Sequence, residues 1–282
     1  MFPGQGAQRV GMGGELFDRF RARTAEADEV LGYSIAELCL RDPDGRLGQT
    51  AFTQPAVYVV NALSYAAARA DGLPAPDVAI GHSLGEYNAL EAAGMFGFAE
   101  GLRLVAARAE AMSRVRDGGM DAVIGMDEAV IRLLLRRSGL EAVEVANHNA
   151  ADQTILGGPL AKLDTAAALL KDSGARAVRR LPVSGPFHTS HMSPAAQEFG
   201  RLLSRTPLAA PALPVIANRT ALPYTRAEPA DLLTQQIDHP VLWRQTIESL
   251  LDADADTVFE EPAYSTVLTR LLRAIRAERD AR

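Results

Sequence analysis

Gly81-His82-Ser83-Leu84-Gly85 is the segment of the chain best suited to covalent chemistry. It fits the pattern G-x-S-x-G, with a short apolar run, Asp77-Val-Ala-Ile80, before it and a helical pattern, Glu86 to Ala93, after it. A serine on a tight strand-to-helix turn stands clear of its neighbours, and flanking glycines leave room for the bend. The same turn aims the N–H of Leu84 at the space beside the hydroxyl, next to a helix N-terminus that favours negative charge. A serine becomes a nucleophile only when a base takes its proton. The candidate bases are His82, His148, His188, His191 and His239. His82 is adjacent to Ser83, and adjacent side chains on a turn diverge. His188 follows Val183-Ser-Gly-Pro-Phe187, where a Gly-Pro break before an aromatic residue suggests a loop at a cleft edge. His191 suits an exposed helix start. On residue types alone, a solvated bystander histidine and a tight turn with a buried serine stay open as explanations.

The elements that must position these residues belong to a soluble chain. Its 282 residues fit one large domain, or a large and a small one. A net charge of −6 argues against a general nucleic-acid binder. Cys39 is the single cysteine, which excludes an internal disulfide framework and a Cys-rich zinc site and is compatible with the cytosol. No apolar run approaches the ~18–20 residues of a membrane helix. The start, MFPGQGAQRVGMGG, lacks the pattern of a signal peptide and reads as a strand end entering a Gly-rich turn, so the chain is expected to extend upstream.

Helical periodicity predicts one helix over 15–31 and a buried, Ala-rich helix over 53–70, entered near Pro55. From about Met120 the texture changes. Strands are predicted at 120–126, 142–147, 153–156 and 177–183, with helices at 127–138 and 160–173. This β-α-β-β-α-β order is the ferredoxin-like signature. We read residues 120–183 as a small subdomain inserted into a larger one formed by 1–119 and 184–282. The remainder predicts helices at 194–204, 231–237, 244–251 and 265–279, and a strand at 213–218.

Phe2-Pro-Gly-Gln-Gly-Ala-Gln8, Thr53-Gln-Pro-Ala56, Gly81-His-Ser-Leu-Gly-Glu86, Arg108 and Pro186-Phe-His188 occur in that order. With these motifs the chain resembles the malonyl-CoA:acyl-carrier-protein acyltransferases of fatty-acid and polyketide synthesis. It is most similar to the free-standing enzymes that serve polyketide synthases in trans. The resemblance implies an α/β fold: a large α/β-hydrolase-like subdomain with a parallel sheet, plus the inserted ferredoxin-like one. It implies Ser83 as nucleophile and His188 as general base and then acid, oriented by backbone carbonyls. It implies an oxyanion hole from the N–H groups of Gln5 and Leu84. Arg108, which its helix alone would suggest is a surface arginine beside Arg103 and Arg114, would grip the carboxylate of a dicarboxylic acyl unit. Gln54 and Asn149 would lie near the site, Phe187 would favour malonyl over methylmalonyl, and His239 would support the dyad through its backbone.

The same resemblance implies malonyl-CoA and a phosphopantetheinylated acyl carrier protein as partners. It implies no cofactor, no metal, no nucleic acid and no membrane, and a cytoplasmic monomer. Arg136/Arg137, Arg179/Arg180 and Arg201/Arg205 are candidates for a basic face toward an acidic carrier. Two departures bear on fine specificity: Ala109 follows Arg108 where the family usually has Gly, and Glu260–Ser265 replaces a Gly-Pro-Gly loop. The competing reading is an acyl hydrolase of the same fold that clears carrier proteins. Arg108 speaks against it.

Overall fold

The computed structural model describes residues 1–225, 228–262 and 264–281. Its N-terminal part is helical: α1 (Leu16–Arg19), α2 (Arg21–Leu31), α3 (Ile35–Leu40), α4 (Thr50–Ala70), α5 (Gly85–Ala92) and α6 (Phe98–Ser113). The single helix expected over 15–31 is broken at Phe20, whose backbone leaves the helical region at φ −119°, ψ 48°. The Thr24 hydroxyl lies 3.1 Å from the carbonyl of Phe17 and 3.2 Å from that of Phe20, so it satisfies acceptors at the break. Helix α3 has too few residues for hydrophobic periodicity to mark it. Its signal is local: Ser34 caps the N–H of Glu37, three residues on. Helix α4 begins at Thr50, so Pro55 lies inside it rather than at its entry.

Helices α4 and α6 cross tightly in the core, and this sets the site's floor. The Tyr58 ring stacks on Phe98 at 5.8 Å. A Cβ on Gly101 would sit 2.2 Å from the Tyr58 hydroxyl, so only glycine lets the two helices meet there. That approach brings Gln54 of α4 beside Arg108 of α6.

The middle of the chain holds β1 (Gly119–Ile124), α7 (Glu128–Arg137), β2 (Glu144–Ala150), β3 (Gln153–Gly158), α8 (Leu160–Asp172) and β4 (Ala177–Arg180). The strands form one sheet of order β2-β3-β1-β4, with every neighbouring pair antiparallel. Side chains alternate across it. Val123, Val145 and Leu156 pack with Ile131, Leu135, Leu163 and Leu170 of α7 and α8. Met120, Ala122 and Ile155 face the other way, into the main core, and line a cleft.

The chain then returns to the main body through α9 (Ser193–Leu203), α10 (Pro229–Asp238), α11 (Trp243–Ala253) and α12 (Val267–Asp280). The parallel sheet expected here is reduced, among the described residues, to isolated parallel bridges: Phe2 to Gly81, Ala79 to Val215, and Asn147 of β2 to Val241. The segments are too short for more: Gly81 turns at once into the serine elbow, and Pro214 has no N–H to give a ladder. Of the Glu260–Ser265 stretch, Ala263 lies outside the described residues.

The glycines of the elbow are there for close approach. A Cβ on Gly85 would lie 2.0 Å from the Phe2 carbonyl oxygen, and one on Gly81 2.0 Å from the backbone of Gly85. Gly85→Ala therefore forces backbone to move. We expect a loss of about 1–3 kcal/mol or more, read as a lower melting temperature. An unchanged melting temperature would contradict this packing.

Candidate active site

Ser83 sits at φ 52°, a left-handed conformation unusual for a residue with a Cβ. The elbow is held from outside. The Ser83 N–H donates to Asn218 Oδ1 at 2.7 Å, and Asn218 Nδ2 donates to the Gly81 carbonyl at 2.7 Å. One buried side chain thus ties both ends of the turn. The result is a hydroxyl held above the N-terminus of α5.

His188 also has a positive φ, 61°, and its N–H donates to the Ile237 carbonyl at 3.1 Å. Its Nε2 lies 2.7 Å from Ser83 Oγ, and its Nδ1 lies 2.6 Å from the Gln236 carbonyl oxygen. A carbonyl only accepts, so Nδ1 carries the proton and Nε2 is free to accept from the serine. Burial, helped by the nearby Arg108 charge, pushes the His188 pKa down to about 3. The imidazole is therefore neutral at ordinary pH. Linkage gives the sign of its effect on stability. Below its ordinary pKa of 6.5 the unfolded chain binds a proton that the folded site refuses. The His188 contribution is complete above about 6.5 and is lost as pH falls toward 3. The native chain should lose more melting temperature over that window than His188→Asn, and equal losses would refute a neutral buried ring.

Arg108 is completely buried, and all of its hydrogen bonds go to neutral groups. Nη1 donates to Gln54 Oε1 at 2.6 Å, while Nη2 donates to Gln236 Oε1 at 2.8 Å and reaches Ser83 Oγ at 3.2 Å. The Tyr87 ring lies 5.5 Å from the guanidinium carbon. Burying a charge without a carboxylate partner is costly. A guanidinium kept in that state beside a nucleophile is equipped to take an anionic group delivered there.

Above the serine is a cleft of about 350 Å³. Gln5, Gln54, Ser83, Asn149, Phe187 and His188 line it, opposite the sheet residues Met120, Ala122 and Ile155. Leu84 is buried, and its N–H follows the elbow; a Cβ on Gly4 would lie 3.5 Å from that nitrogen, so the loop carrying Gln5 runs against it. The Gln5 side chain donates to Thr50 Oγ1 at 3.3 Å. Asn149 Oδ1 meets His82 Nε2 at 2.8 Å. This contact, with the Trp243 ring 5.4 Å away, fixes His82 off the reaction line.

Among the described residues His239 makes no hydrogen bond to the dyad. Its Nδ1 contacts Asp238 Oδ1 at 2.7 Å and the Gln235 carbonyl at 3.1 Å, with the ring part-exposed. The carbonyl on His188 is that of Gln236 instead, because the last turn of α10 aims that oxygen at the ring. Arg180 is likewise less available as a free cation, since it pairs with Asp121 and Asp164. Gln236, Asn218, Glu86 and Tyr224 form the supporting shell and carried no assigned role in the sequence. Among the described residues no cluster of His, Cys, Asp and Glu could hold a metal ion, and no helix is long and apolar enough to cross a membrane.

A serine on a strained elbow, a neutral histidine on its hydroxyl and a buried cation beside both make a site suited to moving an acyl group through a serine ester. The whole chain, residues 1–282, matches the family model described as the acyl transferase domain, and the chain belongs to that family. It is 49% identical over 275 residues to the polyketide biosynthesis protein ThaF of Burkholderia thailandensis, covering 98% of this chain. The chain spans only 24% of that relative's length. It is 44% identical to the polyketide biosynthesis malonyl CoA-acyl carrier protein transacylase BaeC of Bacillus velezensis, covering 100% of this chain and 97% of that one. The α/β fold matches a crystal structure of malonyl CoA-acyl carrier protein transacylase from Burkholderia pseudomallei. There the TM-score is 0.95 at 48% identity, over 99% of this chain and 97% of the other. A type II polyketide acyl-carrier protein in complex with its malonyl-transacylase is matched with a TM-score of 0.91 at 32% identity, over 97% of this chain and 91% of that one.

Proposed function

We propose that the chain moves a malonyl unit from CoA to the pantetheine thiol of an acyl carrier protein, by way of an ester on Ser83, in polyketide synthesis. His188 Nε2 takes the hydroxyl proton as Oγ attacks the thioester carbon. The tetrahedral oxyanion is received by the N–H groups of Gln5 and Leu84. Collapse breaks the C–S bond, and the departing CoA sulfur takes the proton from His188. The carrier thiol then repeats these steps in reverse order, which is ping-pong chemistry. Arg108 holds the distal carboxylate throughout, and Phe187 fills the space an α-methyl would need. One methyl is worth only about 1–3 kcal/mol, so malonyl is preferred rather than exclusive.

The observation that carries this reading is Arg108 Nη2 at 3.2 Å from Ser83 Oγ, a fully buried cation whose hydrogen bonds go to neutral groups. A site for uncharged acyl chains gains nothing from it. The sheet of residues 120–183 acts as a ferredoxin-like lobe that closes the cleft over the elbow, with the remainder as the hydrolase-like body. The chain works in the cytoplasm as a monomer and needs no cofactor, since the thioester is itself the activated group. The test is a time course with malonyl-CoA and a phosphopantetheinylated carrier. Transfer gives malonyl-carrier in step with free CoA. Free malonate in step with CoA would make the chain a hydrolase instead.

A further inference from the structure

Glu86 lies one turn beyond Ser83, fully buried at the start of α5. Three donors converge on its carboxylate. Oε1 accepts from the Asn218 N–H at 3.0 Å and from the Tyr224 hydroxyl at 2.7 Å, and Oε2 accepts from Gln236 Nε2. Each of the first and third donors belongs to a residue that touches the reacting groups. Asn218 ties the elbow through Ser83 N–H and the Gly81 carbonyl. Gln236 holds His188 with its main-chain oxygen and Arg108 with its side-chain oxygen.

The Gln236 amide has one acceptor and one donor end. Its Nε2 is committed to Glu86 and to the Ser83 carbonyl at 2.8 Å, which leaves Oε1 for Arg108. Removing the acceptor at Glu86 Oε2 leaves Nε2 facing a donor. Nε2 is then held by the Ser83 carbonyl alone, and Oε1 loses its fixed aim at Arg108. Glu86 also supplies a negative charge to the interior that holds Arg108, one amide away. It balances the buried cation without occupying the guanidinium edge that an acyl carboxylate would use.

We propose that Glu86 is a positioning residue for the acyl transfer inferred above, acting through Gln236 to aim Arg108 and so setting how strongly the site prefers an acyl group that carries a carboxylate. Preference, rather than overall rate, is the property it controls, because both kinds of acyl donor use the same Ser83 and His188. Titration offers a second handle. Burial raises the Glu86 pKa to about 7, against the three donors and the Arg108 charge, which lower it. The other titratable groups facing it do not change charge in that range. Burial holds Tyr87 and Tyr224 well above their ordinary value and His188 far below its own, and Arg108 stays charged.

The experiment compares rates of Ser83 loading from malonyl-CoA and from acetyl-CoA, read by rapid quench and intact-protein mass. In Glu86→Gln the malonyl-to-acetyl ratio is expected to fall about 10–100-fold, the size of one hydrogen bond to a charged group. In the native chain the ratio should fall as pH drops through about 7, as the carboxylate takes a proton. In Glu86→Gln it should stay low and flat with pH. Tyr224→Phe removes one donor to the carboxylate and should move the native midpoint upward. A purely structural Glu86 would change melting temperature and both loading rates together and leave the ratio alone. An unchanged ratio in folded Glu86→Gln, or a native ratio that is flat over the whole pH range in which the chain stays folded, overturns the proposal. The native pH series needs no variant to fold. If the native chain forms no malonyl ester at all, the acyl-transfer reading fails first and takes this inference with it.

Discussion

Ser83→Ala is expected to eliminate the covalent acyl adduct and to lower transfer by a factor on the order of 10⁶, as loss of the nucleophile does in serine enzymes. No neighbouring group can replace it. Asn218 and Gln236 hold the elbow but are amides, and His82 is turned toward Asn149 at 2.8 Å. The fold should tolerate the change, because among the described residues Ser83 Oγ reaches only His188 and Arg108, and both keep their other partners. His188→Ala should cost about 10²–10⁴, the usual range for a general base, and should not act additively with Ser83→Ala. A double variant much slower than Ser83→Ala would mean that the two do not work as one unit. The measurement is steady-state transfer alongside intact mass.

Arg108→Ala is expected to invert acyl preference. Two hydrogen bonds from a guanidinium to a carboxylate, each worth about 1.5–3 kcal/mol, place the loss in malonyl loading at about 10²-fold or more. Loading of acetyl should be retained or improved, since a buried charge has left the pocket. The substitution also strips donors from Gln54 Oε1 and Gln236 Oε1 and leaves Glu86 without its nearby cation. Two buried amide oxygens left without donors should lower stability by about 1–3 kcal/mol. Arg108→Gln, which keeps a donor, is the companion variant. Unchanged malonyl preference in both would refute the role of Arg108, whatever the melting temperatures show.

What could be read in advance depended on the range of the contacts involved. The elbow is a local object: its glycines, its serine and the helix after it lie within a few residues, and the steric reason for each glycine is short-range. The β-α-β-β-α-β pattern was legible for the same reason, as alternation and helical periodicity switch within short windows. The first helix breaks at Phe20, and the Thr24 hydroxyl satisfies the Phe17 carbonyl at the break, a contact that periodicity does not register. The supporting residues were invisible for a different reason. Gln236 stands on α10 in Thr234-Gln-Gln-Ile237, where a glutamine looks like any solvent-facing polar residue. Its contacts to Ser83, Glu86 and Arg108 cross more than a hundred residues of chain. His239, three residues on, carries an imidazole, a side chain that by type alone suits proton transfer better than an amide does. The structure gives the role at that end of α10 to a main-chain oxygen, which no side-chain pattern can announce. Asn218 and Tyr224 share this property: an ordinary residue becomes important through where the chain carries it.

The most direct measurement digests the chain after brief mixing with malonyl-CoA alone and locates the added mass by fragmentation. The account predicts one malonyl group per chain, on the peptide holding Gly81 to Gly85 and on Ser83 itself, with far less acetyl ester on Ser83 after acetyl-CoA at equal concentration and time. A malonyl group on any other residue, or equal loading from both donors, would contradict it.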